Sequence, residues 1–348
     1  MKASVAFVTM MAVLASVSSL AQPPDGRMGP GMRMMQGPMR MMAPLASEFP
    51  SATNPLTHEK IDLGRMLFFE PRLSIGQTIS CNSCHSLDNY GVDGRRVSIG
   101  HGNQQGTRNA PSVYNAAAHF AQFWDGRATD VEEQAKGPML NAVEMAMPSP
   151  DYAIRVLKSV PAYVAAFERA FPEDLDPVTF DNLARAIGAF ERMLSTPARW
   201  DRFLTGDRGA VSMQEMRGWM TFHHAGCTTC HNGSTIGGQS LQKLGAKLPW
   251  PRLSDQGRYE VTKLSTDRMI FKVPSLRNVE KTAPYFHDGR IDALPEAVRL
   301  MGKHQLGIEL EDSEVQSITT WLHTLTGEIP VDFVRPPKLP ALTPKQVR

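Results

Sequence analysis

Cysteine is scarce in this chain, with 4 in 348 residues. All of them fall in two copies of one five-residue pattern, Cys81-Asn82-Ser83-Cys84-His85 and Cys227-Thr228-Thr229-Cys230-His231, so none is left over for a disulfide framework. An excess of charge is also missing, with 37 Lys plus Arg against 35 Asp plus Glu. A net charge of +2 gives no field to draw nucleic acid or an anionic membrane surface. Long apolar runs are lacking too. Val5 to Val17 is too short to span a bilayer, and no later segment reaches its length. With Lys2 before it and Ser19-Leu20-Ala21 after it, that run has the form of a secretory signal peptide over residues 1–21, and no membrane anchor is expected.

What the chain does have is C-x-x-C-H twice. In that pattern two thiols bond the vinyl groups of a c-type haem, and the histidine behind them becomes an axial ligand of its iron. A zinc ribbon would set its two C-x-x-C pairs roughly 15 to 20 residues apart and needs no histidine directly after each. Two covalently bound haem c groups are the expectation, held by Cys81, Cys84 and His85 and by Cys227, Cys230 and His231. Export agrees with this cofactor, because c-type haem is attached outside the bacterial cytoplasm, and the expected location is the periplasm.

A cytochrome c fold is small, so a chain of this length divides naturally into two haem domains in tandem, mostly α-helical. Residues 22–50 are rich in Pro, Gly and Met and are expected to form a linker; Met28, Met32, Met34, Met35, Met39, Met41 and Met42 crowd there beside Arg27, Arg33 and Arg40. The segment reads as a flexible, oxidant-tolerant tether, with Cu(I) binding by soft thioethers as the alternative. A first haem domain is expected over 51–194, a second over 195–335 and a tail over 336–348. Helices are predicted from Thr57 to about Pro71, over Asp151–Phe171 and over Asp181–Leu194, the last with Arg185, Glu191 and Arg192 on its outer side. Ser212 and Glu215 form a capping box before a helix ended by Gly226, and Asp312 or Ser313 is expected to cap a helix closed by Gly327.

Each iron needs a second axial group or an open face. His101 sits between Gly100 and Gly102, where it is either a ligand on a loop that swings away or a solvent-exposed loop histidine. Met301, beside Gly302 and downstream of the second motif, is placed as a methionine loop would be, with core packing as the other reading.

Further motifs carry a resemblance. Ser98-Ile-Gly-His-Gly102, Gln122-Phe-Trp-Asp-Gly-Arg127, Gln134-Ala-Lys-Gly-Pro138, Val143-Glu-Met145, Pro274-Ser-Leu-Arg-Asn278, Pro284-Tyr-Phe-His-Asp-Gly289 and Met301-Gly302 together resemble the bacterial di-haem cytochrome c peroxidases, in family order from about Leu56 to Gly327. The resemblance implies that the first haem is peroxidatic, with His101 as its removable sixth ligand, Glu144 as acid/base and Gln134 as its companion. It makes the haem of His231 and Met301 the electron-entry site, with Trp124 between the two haems and His287 near the electron path. It places calcium at Asn109, Thr282 and Pro284. The implied activity is reduction of hydrogen peroxide with electrons from a small cytochrome c or cupredoxin, in a homodimer serving oxidative-stress defence. Where the family often has an aromatic two residues after the removable histidine, this chain has Asn103. The alternatives are a di-haem electron-transfer or redox-sensing protein, or a protein-modifying di-haem oxidase; that last group uses a tyrosine where this chain has Met301.

Overall fold

The computed structural model describes residues 42–251 and 254–341. The signal peptide, the methionines up to Met41 and tail residues 342–348 lie outside the described residues. The longer helices are α1 (His58–Phe68), α2 (Val131–Leu140), α3 (Pro150–Lys158), α4 (Pro161–Ala170), α5 (Phe180–Glu191), α6 (Arg199–Leu204), α7 (Met213–His224), α8 (Leu294–Leu300) and α9 (Asp312–Leu322). Strand β1 (Leu241–Lys243) pairs antiparallel with β2 (Ile270–Lys272), Leu241 opposite Lys272. The protein is thus mostly α, as expected, and among the described residues no helix is long and apolar enough to cross a membrane.

Local chemistry sets the helix starts. Thr57 Oγ1 accepts from Lys60 N–H at 3.2 Å and Asp130 Oδ1 from Glu133 N–H at 2.8 Å. Ser212 and Glu215 exchange bonds of 3.2 and 2.8 Å at the start of α7. Each satisfies amides that a helix leaves without an internal partner.

The two halves repeat one device. The helix that precedes each Cys-x-x-Cys-His pattern crosses a later helix at a glycine: α1 meets α5 at Gly64, and α7 meets α9 at Gly218. A Cβ at Gly64 would stand 1.8 Å from the Ala186 carbonyl oxygen, and one at Gly218 would stand 2.0 Å from that of Ser317. Around the first crossing lie Leu63, Leu67, Phe68, Leu183, Ile187 and Phe190. Around the second, Trp200, Trp219 and Trp321 are fully buried, with Trp200 and Trp321 rings 5.5 Å apart. Gly64→Ala and Gly218→Ala are each expected to cost about 1–3 kcal/mol by overpacking, read as a lower thermal midpoint of the haem-loaded protein. An unchanged midpoint in both would show that these helices separate freely.

Several sequence expectations need correction. The stretch Asp151–Phe171 is two helices, because Pro161 has no N–H to donate and starts α4 afresh after Ser159 and Val160. Glu191 and Arg192 do not face outward. They are 4% and 7% exposed, because α5 is covered on more than one side and Arg192 forms a bidentate pair with Glu132 at 2.8 Å through both nitrogens. The start of α9 is closed by Glu311, whose N–H donates to Glu314 Oε2 at 2.9 Å, rather than by Asp312 or Ser313. Residues 42–50 of the linker are docked: Met42, Leu45 and Phe49 are buried, and Leu45 N–H donates to Asp201 Oδ1 at 2.6 Å. At the other end, Ile329, Phe333 and Val334 pack into the core of the first half, with Phe333 and Phe190 rings 5.4 Å apart.

Candidate functional site: two cavities with a shared wall

The first motif forms a single helical turn, Cys81–Cys84, with His85 at its end. His85 Nδ1 lies 3.3 Å from the Gly91 carbonyl oxygen, which fixes the proton on Nδ1 and leaves Nε2 free to ligate. The second motif repeats this, His231 Nδ1 lying 3.3 Å from the Ile236 carbonyl oxygen. Burial lowers the pKa of both imidazoles, that of His231 to about 4, so both stay neutral as an iron ligand must. Burial also pushes the Cys81 and Cys227 thiols up to about 12.

Each motif opens on a cavity. One, about 620 Å³, is lined by Cys81, Cys84, His85, Gln134, Glu144 and Glu191. The other, about 250 Å³, is lined by Cys227, Cys230, His231, Met301, His287 and Lys272. In both, two thiols and a histidine with a free Nε2 converge on one space, which is the donor set a c-type haem requires. Met301 shares the second cavity with His231. It stands at the start of a π-helical turn, Met301–Leu306, and not in the open loop expected from sequence, because α8 runs directly into that turn. Its side chain packs with Trp250, Met269 and Phe271.

Trp124 lines both cavities. Its Nε1–H donates to the Asn109 carbonyl at 2.9 Å, and its ring lies 6.4 Å from that of His287, which in turn stacks on Phe271 at 4.3 Å. Asn109, Thr282 and Pro284 all line the second cavity. Asn109 Nδ2 donates to the Arg95 carbonyl at 3.0 Å, which leaves Oδ1 as the atom available to a cation.

Glu144 reaches the first cavity from the segment that follows α2. Its Oε1 accepts from Asn141 Nδ2 at 2.7 Å, and burial raises its pKa against the opposing pull of Arg127 and that hydrogen bond. His101 is not among the residues that line this cavity. Its ring stands against Gly76, where a Cβ would come within 3.3 Å of Nδ1. Its N–H donates to the Glu144 carbonyl at 2.8 Å. Gly100 presses on the same segment, and a Cβ there would lie 2.0 Å from the Val143 carbonyl oxygen. Gly102 and Asn103 both take left-handed backbone, φ 64° and 60°, which asparagine tolerates better than a bulky aromatic would.

With this arrangement in view, likeness to known proteins becomes decisive. The family model described as di-haem cytochrome c peroxidase matches residues 58–209. The cytochrome c551 peroxidase of Pseudomonas aeruginosa is 45% identical over 294 residues, covering 83% of this chain and 84% of that protein. The chain belongs to the di-haem cytochrome c peroxidase family. The cytochrome c551 peroxidase of Nitrosomonas europaea is similar to the same degree, 46% identical over 295 residues, 84% of this chain and 86% of that one. Among solved structures, a MauG-like protein associated with microbial copper homeostasis superposes with a TM-score of 0.74 at 28% identity, covering 85% of this chain and 96% of that one. Membership in this peroxidase family implies two haem c groups, and the two cavities fit them.

Three cavity residues escaped the sequence reading. Glu191 lies in the wall of the first cavity, its carboxyl pushed up to about 8 by burial and then by Glu132. Lys272 and His119 lie in the wall of the second. For Lys272 a signal was present: a lone lysine inside the apolar run Ile270-Phe271-Lys272-Val273 has no solvent face to occupy.

Proposed function

We propose that this chain reduces hydrogen peroxide to water in the periplasm, taking electrons one at a time from a small soluble redox protein, a cytochrome c or a cupredoxin. One observation carries the reading: Glu144 and Gln134 share a cavity with His85, while His231 and Met301 share a second, and Trp124 walls both. The haem bound at each site supplies iron that accepts and stores electrons, and at the first site a place where the oxygen–oxygen bond is cleaved. Glu144 takes a proton from one peroxide oxygen and returns it to the other, so that the departing oxygen leaves as water. Its raised pKa, caused first by burial, brings it nearer the working pH and suits it to both directions of transfer. Asn141 holds the carboxylate in place from one side, and Gln134 supplies an amide to orient the substrate. Met301 raises the affinity of the second site for an electron, because methionine ligation favours the ferrous state more than a second histidine does. Trp124 and His287 lie in the route between the sites. Residues 51–194 thus serve as the peroxidatic domain and 195–335 as the electron-entry domain.

Steady-state turnover with peroxide and a reduced cytochrome c tests the proposal. No peroxide consumption by the half-reduced protein would leave an electron-transfer or redox-sensing role instead. A homodimer belongs to the same reading and is checked by sedimentation equilibrium.

Calcium is proposed at Asn109, Thr282 and Pro284, with Asn109 Oδ1 and backbone carbonyls as ligands and water completing the six to eight oxygens that calcium prefers. Because the Asn109 carbonyl also holds Trp124, the ion would fix the residue between the two cavities. Chelation is expected to slow reductive activation severalfold, with recovery on adding calcium back. Full activity after verified calcium removal would count against the site.

A further inference from the structure

Lys272 is 7% exposed, yet among the described residues no carboxylate lies within ion-pair reach of it. The one polar contact of its Nζ is His119 Nδ1, at 3.4 Å. Its backbone is fixed by the pairing of β2 with β1 and by its N–H, which donates to the Trp124 carbonyl at 2.7 Å. The ammonium is therefore held in the wall of the cavity, with no countercharge among the described residues.

His119 is equally committed. Its ring lies on Gly238, where a Cβ would come within 2.3 Å of Cδ2, and Phe120 N–H donates to the Gly238 carbonyl at 3.0 Å. With Nδ1 turned to an ammonium, the ring accepts there and carries its own proton on Nε2. That Nε2 is buried without a partner. Burial and the neighbouring Lys272 both keep the ring neutral, so it does not add to the charge. One donor without a partner and one cation with a single polar contact thus line the cavity of Cys227, Cys230 and His231.

A buried charge persists only when it is paired, and breaking such a pair leaves a penalty of several kcal/mol. A haem c carries two propionate carboxylates, anions of the kind that would pair with such a cation. We infer that Lys272 and His119 form the propionate-binding site of the second haem, and that the Lys272 charge raises the reduction potential of that haem. The inference rests on reading the cavity as a haem c site. Burial draws the Lys272 pKa down to about 8, and a carboxylate at Nζ would oppose that fall and favour the charged form. A fixed cation favours the ferrous state, which carries one positive charge fewer than the ferric state. Lys272 then acts in the same direction as Met301, toward filling the second site first.

The test compares Lys272→Met, Lys272→Gln and Lys272→Arg by spectroelectrochemistry of both haems in the intact protein without peroxide, alongside resonance Raman of the propionate bending mode. Loss of the charge should shift the second haem's reduction equilibrium at least tenfold, a fall of about 59 mV for one electron. The propionate mode of that haem should move as well, Lys272→Arg should keep both near wild type, and the His85 haem serves as internal reference. Failure of the Met variant to retain its second haem, with rescue by Arg, would also support the assignment. Unchanged potentials and an unchanged propionate mode in the folded Met and Gln variants would overturn it, as would equal shifts of both haems. A haemochrome assay showing only one haem in the wild type would instead remove the underlying reading, and neither result depends on peroxide turnover.

Discussion

Glu144→Gln is expected to lower peroxide turnover by about 10² to 10⁴-fold, the usual worth of general acid/base catalysis. The substitution keeps the volume of the side chain and its place beside Asn141, but removes the one atom that can pick up a proton from one peroxide oxygen and deliver it to the other. Both haems should remain attached, because Glu144 makes its side-chain hydrogen bond to Asn141 and not to either motif. The loss should fall on kcat more than on KM, since the proton moves only during bond cleavage. The pH profile supplies a second check. Burial raises the Glu144 pKa, so the acid limb of the wild-type profile should lie above the ordinary carboxylate range, and this limb should vanish in the variant. Turnover within a few-fold of wild type would remove the role assigned to Glu144.

Met301→His is expected to move the second haem's potential sharply downward. Axial ligands span roughly 0.8 V of haem potential, and each 59 mV is a tenfold change in a one-electron equilibrium. A fall of about 0.12 V already means a hundredfold weaker hold on the first electron. The half-reduced state that prepares the first site would then be hard to reach with ordinary donors, and activity should collapse with the potential. The π-helical turn gives the imidazole a position in the wall of the same cavity, from which it would be able to ligate a haem iron bound there. A redox titration showing the wild-type value would mean that Met301 packs with Trp250 and Met269 and ligates nothing.

Much of this was legible before any coordinates. The Cys-x-x-Cys-His patterns are local in sequence, and so is the capping box of Ser212 and Glu215; each needs only a few residues to be in order. Pro161 was also visible, and the break it causes in Asp151–Phe171 was passed over because the apolar spacing runs on across it. Glu191 was illegible for a different reason. Periodicity shows which face of a helix or strand is apolar, but not that the opposite face is covered as well. For α5 that cover comes from distant segments, among them α2 with Glu132 and the docked residues 42–50. The position of His101 against Gly76 was likewise closed to sequence, since it depends on how two loops about 25 residues apart come together.

The contact of the His101 loop with the segment of Val143 and Glu144 decides more than the position of a histidine. Gly100 touches the backbone of Val143 and Glu144 so closely that no other residue fits, and the His101 N–H is bonded to the Glu144 carbonyl. If the loop were to carry the imidazole to the first cavity, this contact would part, and the segment bearing the carboxylate would lose its brace at the same moment. With His101 in the removable-ligand role that the family resemblance implies, the two side chains would form an interlock, in which admitting one dismisses the other. A resting molecule is then not only blocked but disarmed, so peroxide that slips past the histidine meets no proton carrier. The protection extends to the protein itself, which is spared oxidising chemistry it has not yet stored the electrons to complete.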